Sequence, residues 1–321
     1  MPKGKRYAKR TRRRPAWVGV LALLVVAAAG VLRYLGVDWN TLLPAGAGAP
    51  AASQTAPEGT LQVYYFDVGQ ADSELICLPT GEHILIDAGT SSTQEELVRQ
   101  LRSLGAETLD LVVATHPHAD HIGGMAAVLE ALTVEQIVMP VTSDSSTPTT
   151  QTYEALLDAI GEEGLTVTPA QAGEEIWNGG GASLQVLAPN AQSYGDLNDY
   201  SVVLRLAYGA DSFLFTGDAE ETSEEEMLSR GWTLNATVLK CGHHGSETST
   251  SQPFLDAVRP QYAVISCGVD NDYGHPDQVT LDRLEAAGAE VFRTDLQGTI
   301  VAFTEGSGVT MTALGKGVEA G

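Results

Sequence analysis

Apolar and polar positions from Leu61 onward alternate between two periods. LQVYYFDV, ELICLPTG and HILIDAG are short β-rich runs parted by the turn GQAD and by Pro79 to Glu82, so they predict a meander of strands. TQEELVRQLRSLG then spaces Leu97, Leu101 and Leu104 along one helical face and stops at Gly105. The strand LDLVVAT runs into a polar loop, THPHADHIGG, and GGMAAVLEAL follows it as a helix. QIVMP, LTVTPA and ASLQVLAP predict strands around the helix TYEALLDAIGEEG, and SVVLRLAYG with DSFLFTGD alternates across a turn as a hairpin. After that, helices EEEMLSRG, QPFLDAVRP and TLDRLEAAG alternate with strands ATVLKCG, QYAVISCG and EVFRT, and GTIVAFTE with GVTMTAL closes the chain. Runs of strands broken by single helices predict two packed sheets with helices outside.

The amino-terminal segment follows a different rule. Its first 14 residues carry eight Lys or Arg and no acid, and Pro15 to Leu32 then runs 18 residues without a charge. At about 1.5 Å per residue, that run and its flank to Val37 come close to the roughly 30 Å of a hydrocarbon core. We read residues 1–15 as a basic cytoplasmic leader and 16–37 as a single transmembrane anchor. The alternative is a cleaved signal segment, with AAAG at Ala27 to Gly30 offering small residues. Residues 38–59 are small, Pro-rich and nearly uncharged, a flexible linker. Either reading places the domain, residues 60–321, outside the cytoplasm.

Charge divides along the same line. Nine of the 18 basic residues but two of the 41 acidic ones precede Thr60, leaving nine against 39, a net −30 for the domain. Such a field repels polyanions, so tight duplex nucleic-acid binding is not expected. A hydrophobic content of 43% over 321 residues is ample for a packed core. Cys77, Cys241 and Cys267 lack CxxC spacing, which argues against a disulfide framework or a thiolate zinc site and for buried small apolar residues.

The loop THPHADHIGG concentrates His116, His118, Asp120 and His121 in six positions. Imidazole and carboxylate donors suit zinc or manganese, and two pairs suit two metals ~3.5 Å apart. HxHxDH is also the first metal motif of the metallo-β-lactamase-fold hydrolases, which this sequence resembles. The likeness extends through FDVGQADS (66–73), LIDAG (85–89), NDYSVVLRLAYG (198–209), FLFTGDAE (213–220), LKCGHHGS (239–246), AVISCG and NDYGHP (271–276). That ordered set resembles the extracellular hydrolase domain of ComEC-type DNA-internalization competence proteins and its stand-alone relatives, over about Leu61 to Phe303.

The resemblance implies a four-layer αββα sandwich, a metallo-β-lactamase fold, with a two-metal site at the sheet edges. It assigns His116 and His118 to the first ion, Asp120 and His121 to the second, and Asp218 as the bridging carboxylate. One of His243 and His244 completes the set. We take His244 as the ligand and His243 as a contact to phosphate or leaving group, since adjacent residues leaving a strand diverge. Many members of the fold carry a further histidine before the TGD strand, but none lies between His121 and His243 here. Asn198, water or nothing fills that place, giving an oxygen-richer site in which manganese rivals zinc.

Around these residues, His275 is the candidate to stabilise or protonate a leaving group, or else it caps the turn before Pro276. Asp67 and Asp87 are expected behind the histidines, fixing their tautomers, or else as turn caps. Ser246 is a candidate donor to substrate oxygen, or part of the entry loop to QPFLDAV. The expected activity is phosphodiester hydrolysis on the outer side of a membrane, with single-stranded DNA as the first substrate candidate. A cell-envelope or choline phosphoester is the alternative substrate, and a noncatalytic membrane-tethered binding module the alternative in another class.

Overall fold

The structure is a computed structural model describing residues 59–143 and 145–316. The basic leader, the apolar segment and, apart from Gly59, the linker lie outside the described residues. Among the described residues no helix is long and apolar enough to cross a membrane.

The first sheet opens as an antiparallel meander of β1 (Leu61–Tyr65), β2 (Glu74–Cys77) and β3 (His83–Ile86). Helix α1 (Gln94–Ser103) and the two-residue strand β4 (Thr108–Leu109) lead to β5 (Leu111–Val113), parallel to β3. Helices α2 (Ala119–Ile122) and α3 (Met125–Ala131) follow, then β6 (Thr133–Val134), which pairs with β4. Next, β7 (Ile137–Met139), helix α4 (Gln151–Glu162) and β8 (Val167–Pro169) extend the parallel edge.

The second sheet starts with antiparallel β9 (Glu175–Gly179), β10 (Ala182–Ala188), β11 (Val203–Tyr208) and β12 (Asp211–Phe215). Helix α5 (Glu221–Arg230) then brings in β13 (Val238–Lys240), α6 (Gln252–Val258) brings in β14 (Tyr262–Ile265), and α7 (Gln278–Ala286) brings in β15 (Glu290–Arg293). These three strands run parallel to β12. After the short α8 (Thr294–Gln297), β16 (Ile300–Thr304) and β17 (Val309–Ala313) return to the first sheet beside β1. The strand orders are β17-β16-β1-β2-β3-β5-β7-β8 and β15-β14-β13-β12-β11-β10-β9.

Side-chain alternation builds the layers. Leu61, Val63 and Tyr65 of β1 meet Phe213 and Phe215 of β12 in one buried cluster between the sheets, while Tyr64 faces the other way. On that outer face Leu97 and Leu101 of α1 and Met125, Val128 and Leu129 of α3 cover the first sheet. Met227, Phe254, Leu255 and Leu284 of α5, α6 and α7 cover the second, against Leu214 and Leu239. The order helices, sheet, sheet, helices follows from two inner apolar faces finding each other. Leu104 lies at the end of α1 and packs partly buried on the same cluster. All three cysteines are buried and free.

The parallel strands in each sheet end at one edge, and the loops leaving their carboxyl ends carry Asp87 after β3, Thr115 to His121 after β5, Asp218 after β12 and His243 to Ser246 after β13. Close backbone approach shapes that edge: a Cβ on Gly124 would sit 2.3 Å from the Ala88 carbonyl oxygen, so the chain after the histidine loop passes there only as glycine.

Candidate metal centre

Six residues converge at this edge in two groups that share Asp218. Donor atoms of Asp120, His121, Asp218 and His244 lie within 4.8 Å of one another, as do those of His116, His118 and Asp218. Asp218 Oδ1 is 3.2 Å from His121 Nε2, and its Oδ2 is 3.8 Å from both His116 Nε2 and His244 Nε2. His116 Nε2 and His118 Nδ1 face each other at 2.9 Å. Gly217, at φ +51, sets the turn that delivers Asp218 from β12.

Behind the histidines, polar groups settle which nitrogen faces inward. Asp87 accepts from the Thr115 amide (2.7 Å) and hydroxyl (2.6 Å), and its Oδ2 stands 2.7 Å from His121 Nδ1. His244 Nδ1 is 3.0 Å from the Ser266 carbonyl oxygen and 3.2 Å from Asp72 Oδ1, leaving Nε2 towards Asp120 Oδ2 at 3.3 Å. With each Nδ1 engaged, the Nε2 atoms of His121 and His244 are the available donors.

Strained backbone sets the same geometry. Asp87, His243 and His244 have φ of 56, 48 and 53°, a left-handed conformation costing non-glycine residues roughly 1–2 kcal/mol each. Two successive left-handed residues send the neighbouring imidazoles apart: His244 goes to Asp120, and His243 Nδ1 to Glu220 Oε1 at 3.0 Å and Thr248 Oγ1 at 3.2 Å. The expected divergence of the pair therefore comes from a turn, not from strand alternation. His243 Nε2 is 3.9 Å from Asp218 Oδ2, and His243 belongs to neither donor group.

The electrostatics call for a cation. Burial opposes charge on His121, but Asp218 and Asp87 outweigh it and hold the ring protonated well above imidazole's ordinary value. Burial opposes charge on His244 too, and Asp218 and Asp72 lift it to about 10. His116, flanked by His121, goes the other way: burial and that neighbouring charge hold it well below. Burial would raise Asp218, yet His121 and His244 keep it well below the usual carboxylate range. His121 Nε2 and Asp218 Oδ1 are buried and face each other at 3.2 Å. Mixed nitrogen and oxygen donors, buried and facing one another in an acidic surround, fit a divalent ion that replaces those protons.

The other expected residues fall in several places. Asn198 lines the cavity beside the donors; its amide donates to Glu220 Oε1 at 3.3 Å and its Oδ1 is buried and unpartnered. His275 lines the same cavity, its ring 5.5 Å from His243, with burial and His243 lowering its pKa. Ser246 turns away, its hydroxyl 3.0 Å from Thr248 Oγ1.

Asp67 takes the turn-capping alternative rather than a place behind the histidines. Its amide donates to Thr299 Oγ1, its carboxyl receives the Gly69 amide, and it touches none of the histidines. Asp72, five residues on, holds the place expected of it. The Gly69 turn (φ +78) folds the chain back, so that the Asp72 amide donates to the Asp120 carbonyl and the Asp72 carbonyl accepts from Gly89. Asp72 is in turn paired with Lys240, buried in the inter-sheet core. The signal for that pair was a lone lysine inside the apolar strand ATVLKCG, which demands a buried acid.

Residues 66–269 match the Metallo-beta-lactamase superfamily. The chain is 33% identical over 288 residues to Competence protein ComA of Neisseria gonorrhoeae, covering 87% of this chain and 38% of that protein. It is 33% identical over 256 residues to ComE operon protein 3 of Bacillus subtilis (strain 168), covering 74% and 32%. It thus spans about a third of the length of these relatives. The solved structure of CmlA, a diiron beta-hydroxylase from Streptomyces venezuelae, superposes with a TM-score of 0.50 at 14% identity, over 80% of this chain and 55% of that one, a likeness of fold alone. With its HxHxDH loop, TGD turn and histidine pair gathered at one edge of an αββα sandwich, the chain belongs to the metallo-beta-lactamase superfamily and is a homologue of the ComEC-type competence proteins.

Proposed function

We propose that this chain is a metal-dependent phosphodiesterase acting outside the cytoplasm, with single-stranded DNA as its first substrate candidate. The observation that carries the reading is the sharing of Asp218 between two donor groups at the floor of a cavity of about 270 Å³. Asp120, His121, Asp218 and His244 would hold one ion, and His116, His118 and Asp218 the other, with Asn198 beside them. Bound there, two divalent ions supply Lewis-acid activation of water and of the phosphoryl group.

The chain's own residues do the rest. Asp120 and Asp218 accept hydrogen bonds from a nucleophilic water and orient it. Glu220 and Thr248 hold His243 by Nδ1, so Nε2 faces the cavity, where a proton at that atom can pass to the leaving oxygen. His275, packed edge-on against His243, confines that ring and shields the leaving group from bulk water.

Manganese- or zinc-stimulated hydrolysis of bis(p-nitrophenyl) phosphate by the full chain tests this, with Asp120→Ala expected to abolish turnover. A chain that binds metal yet turns over nothing would instead be a noncatalytic membrane-tethered binding module. Single-stranded DNA, duplex DNA and a choline phosphodiester compared at low salt divide the substrate classes. The choline ester is the second reading, favoured by the net −30 of the domain, which attracts a cationic head group. The leader's eight basic residues and the 18 uncharged ones after it support a single-pass anchor. Carbonate extraction of membranes with protease accessibility of the domain tests that placement; a domain protected inside intact cells would sink it.

A further inference from the structure

The loop that carries His275 displays a residue the hydrolytic reading leaves unused. Tyr273 is 72% exposed, yet it lines the cavity together with His275 and His243. Its ring stacks on His275 with centroids 5.6 Å apart and planes 23° from parallel, and His275 meets His243 edge-on at 5.5 Å. The three rings make a ladder from solvent to His243, whose Nε2 is 3.9 Å from Asp218 Oδ2.

The loop is braced. Asn271 donates through Nδ2 to the carbonyls of Gly268 (3.0 Å) and His275 (2.6 Å) and accepts the His275 amide on Oδ1 (3.0 Å). The Gly268 amide donates to Gln70 Oε1 at 3.0 Å, tying the loop to the opposite wall. Tyr273 is therefore held outward by fixed backbone, one face on His275 and the other open, so little ordering entropy remains to be lost on binding.

Charge narrows what that open face can take. None of the nine Lys and Arg residues from Thr60 onward lines the cavity. The phosphate contacts that normally supply affinity for a nucleic acid are missing from this wall. A planar aromatic face offers a different source of affinity, indifferent to base identity and open only to bases not already stacked in a duplex.

We propose that Tyr273 is the stacking platform for the nucleobase next to the cleaved phosphodiester, making the cavity selective for single-stranded nucleic acid. This rests on the phosphodiesterase reading. The test compares the full chain with Tyr273→Ala, Tyr273→Phe and Tyr273→Leu on a single-stranded oligonucleotide and on its abasic counterpart. For Tyr273→Ala, KM should rise at least about tenfold more on the base-bearing strand than on the abasic one, with the effect on KM rather than kcat. Tyr273→Phe should keep the discrimination, and Tyr273→Leu, which still covers His275 but has no π face, should lose it. Equal losses on both strands, or none, would overturn the platform while leaving nuclease activity standing. Hydrolysis of bis(p-nitrophenyl) phosphate by the unmutated chain without cleavage of either oligonucleotide would overturn the nucleic-acid reading itself, and the platform with it.

Discussion

Asp72 and Lys240 stand 168 residues apart in the chain and meet at 2.6 Å, Oδ2 to Nζ, with 1% of either side chain exposed. Lys240 also donates to the Cys241 carbonyl at 3.0 Å, and the second oxygen of Asp72 is the one facing His244. The pair joins β13 of one sheet to the turn before β2 of the other, directly behind the metal-facing histidine. Breaking a buried pair from one side leaves an uncompensated charge, so Lys240→Met should cost about 3–5 kcal/mol in urea unfolding of the metal-free protein. Adding Asp72→Asn should recover much of that. Strictly additive losses would show that the two side chains do not act as a pair.

Asp87 and Asp67 make a paired test of which carboxylate supports the histidines. Asp87→Asn disturbs the group that fixes His121 Nδ1 and should weaken metal binding about 10–100-fold in a chelator competition. Asp67→Asn, beside Thr299 and away from the site, should leave metal affinity unchanged. A matching loss in both variants would return Asp67 to the role the sequence suggested.

Metal stoichiometry distinguishes the shared ligand from the private ones. Asp218→Ala should lower occupancy at both positions, because Asp218 belongs to both donor groups, whereas His118→Ala should remove close to one equivalent. Elemental analysis after dialysis gives the count. Two equivalents retained by Asp218→Ala would rule out its bridging place.

Glu74, which belongs to neither donor group, supplies a pH dependence to be read on the metal-free protein. It is fully buried opposite Tyr65 in the β1–β2 ladder, and burial together with Asp72 raises its carboxyl well above the usual 4.5. A raised folded-state pKa means that the stabilisation from the protonated form is complete below the unfolded value of 4.5 and is lost as pH climbs through the folded one. Glu74→Gln keeps the shape and removes the titration. The stability of the variant relative to the parent should therefore rise as pH increases from mildly acid to alkaline, read as thermal midpoints in matched buffers. A difference that stays flat with pH would place Glu74 as a normal carboxylate.

The sheets were legible because Leu61, Val63 and Tyr65 alternate with polar or outward positions, and that period needs no knowledge of distant residues. The HxHxDH loop was equally plain, its donors being contiguous. The strands β4 and β6, two residues each, are too short to show a period. Asp72 escaped because strand-end reasoning favoured Asp67 and could not see the reversal at Gly69. Lys240 is a charge in an apolar run, a signal the sequence reading left unused, and its partner lies 168 residues away. The divergence of His243 and His244 was read from strand alternation, while the left-handed φ values that produce it have no signature in a histidine pair.

The division of donors between the two sheets has a mechanical consequence. His116, His118, Asp120 and His121 leave the end of β5, while Asp218 and His244 leave β12 and β13. Any cation gripped by all of them is a rivet through the open seam of the sandwich. Chelation then relaxes the seam between two halves otherwise held by their apolar faces and by buried polar ties such as Asp72 to Lys240, and a change that slides one sheet against the other is felt as a weaker grip on the ion. The ion's hold and the cohesion of the halves are thus two readings of one alignment.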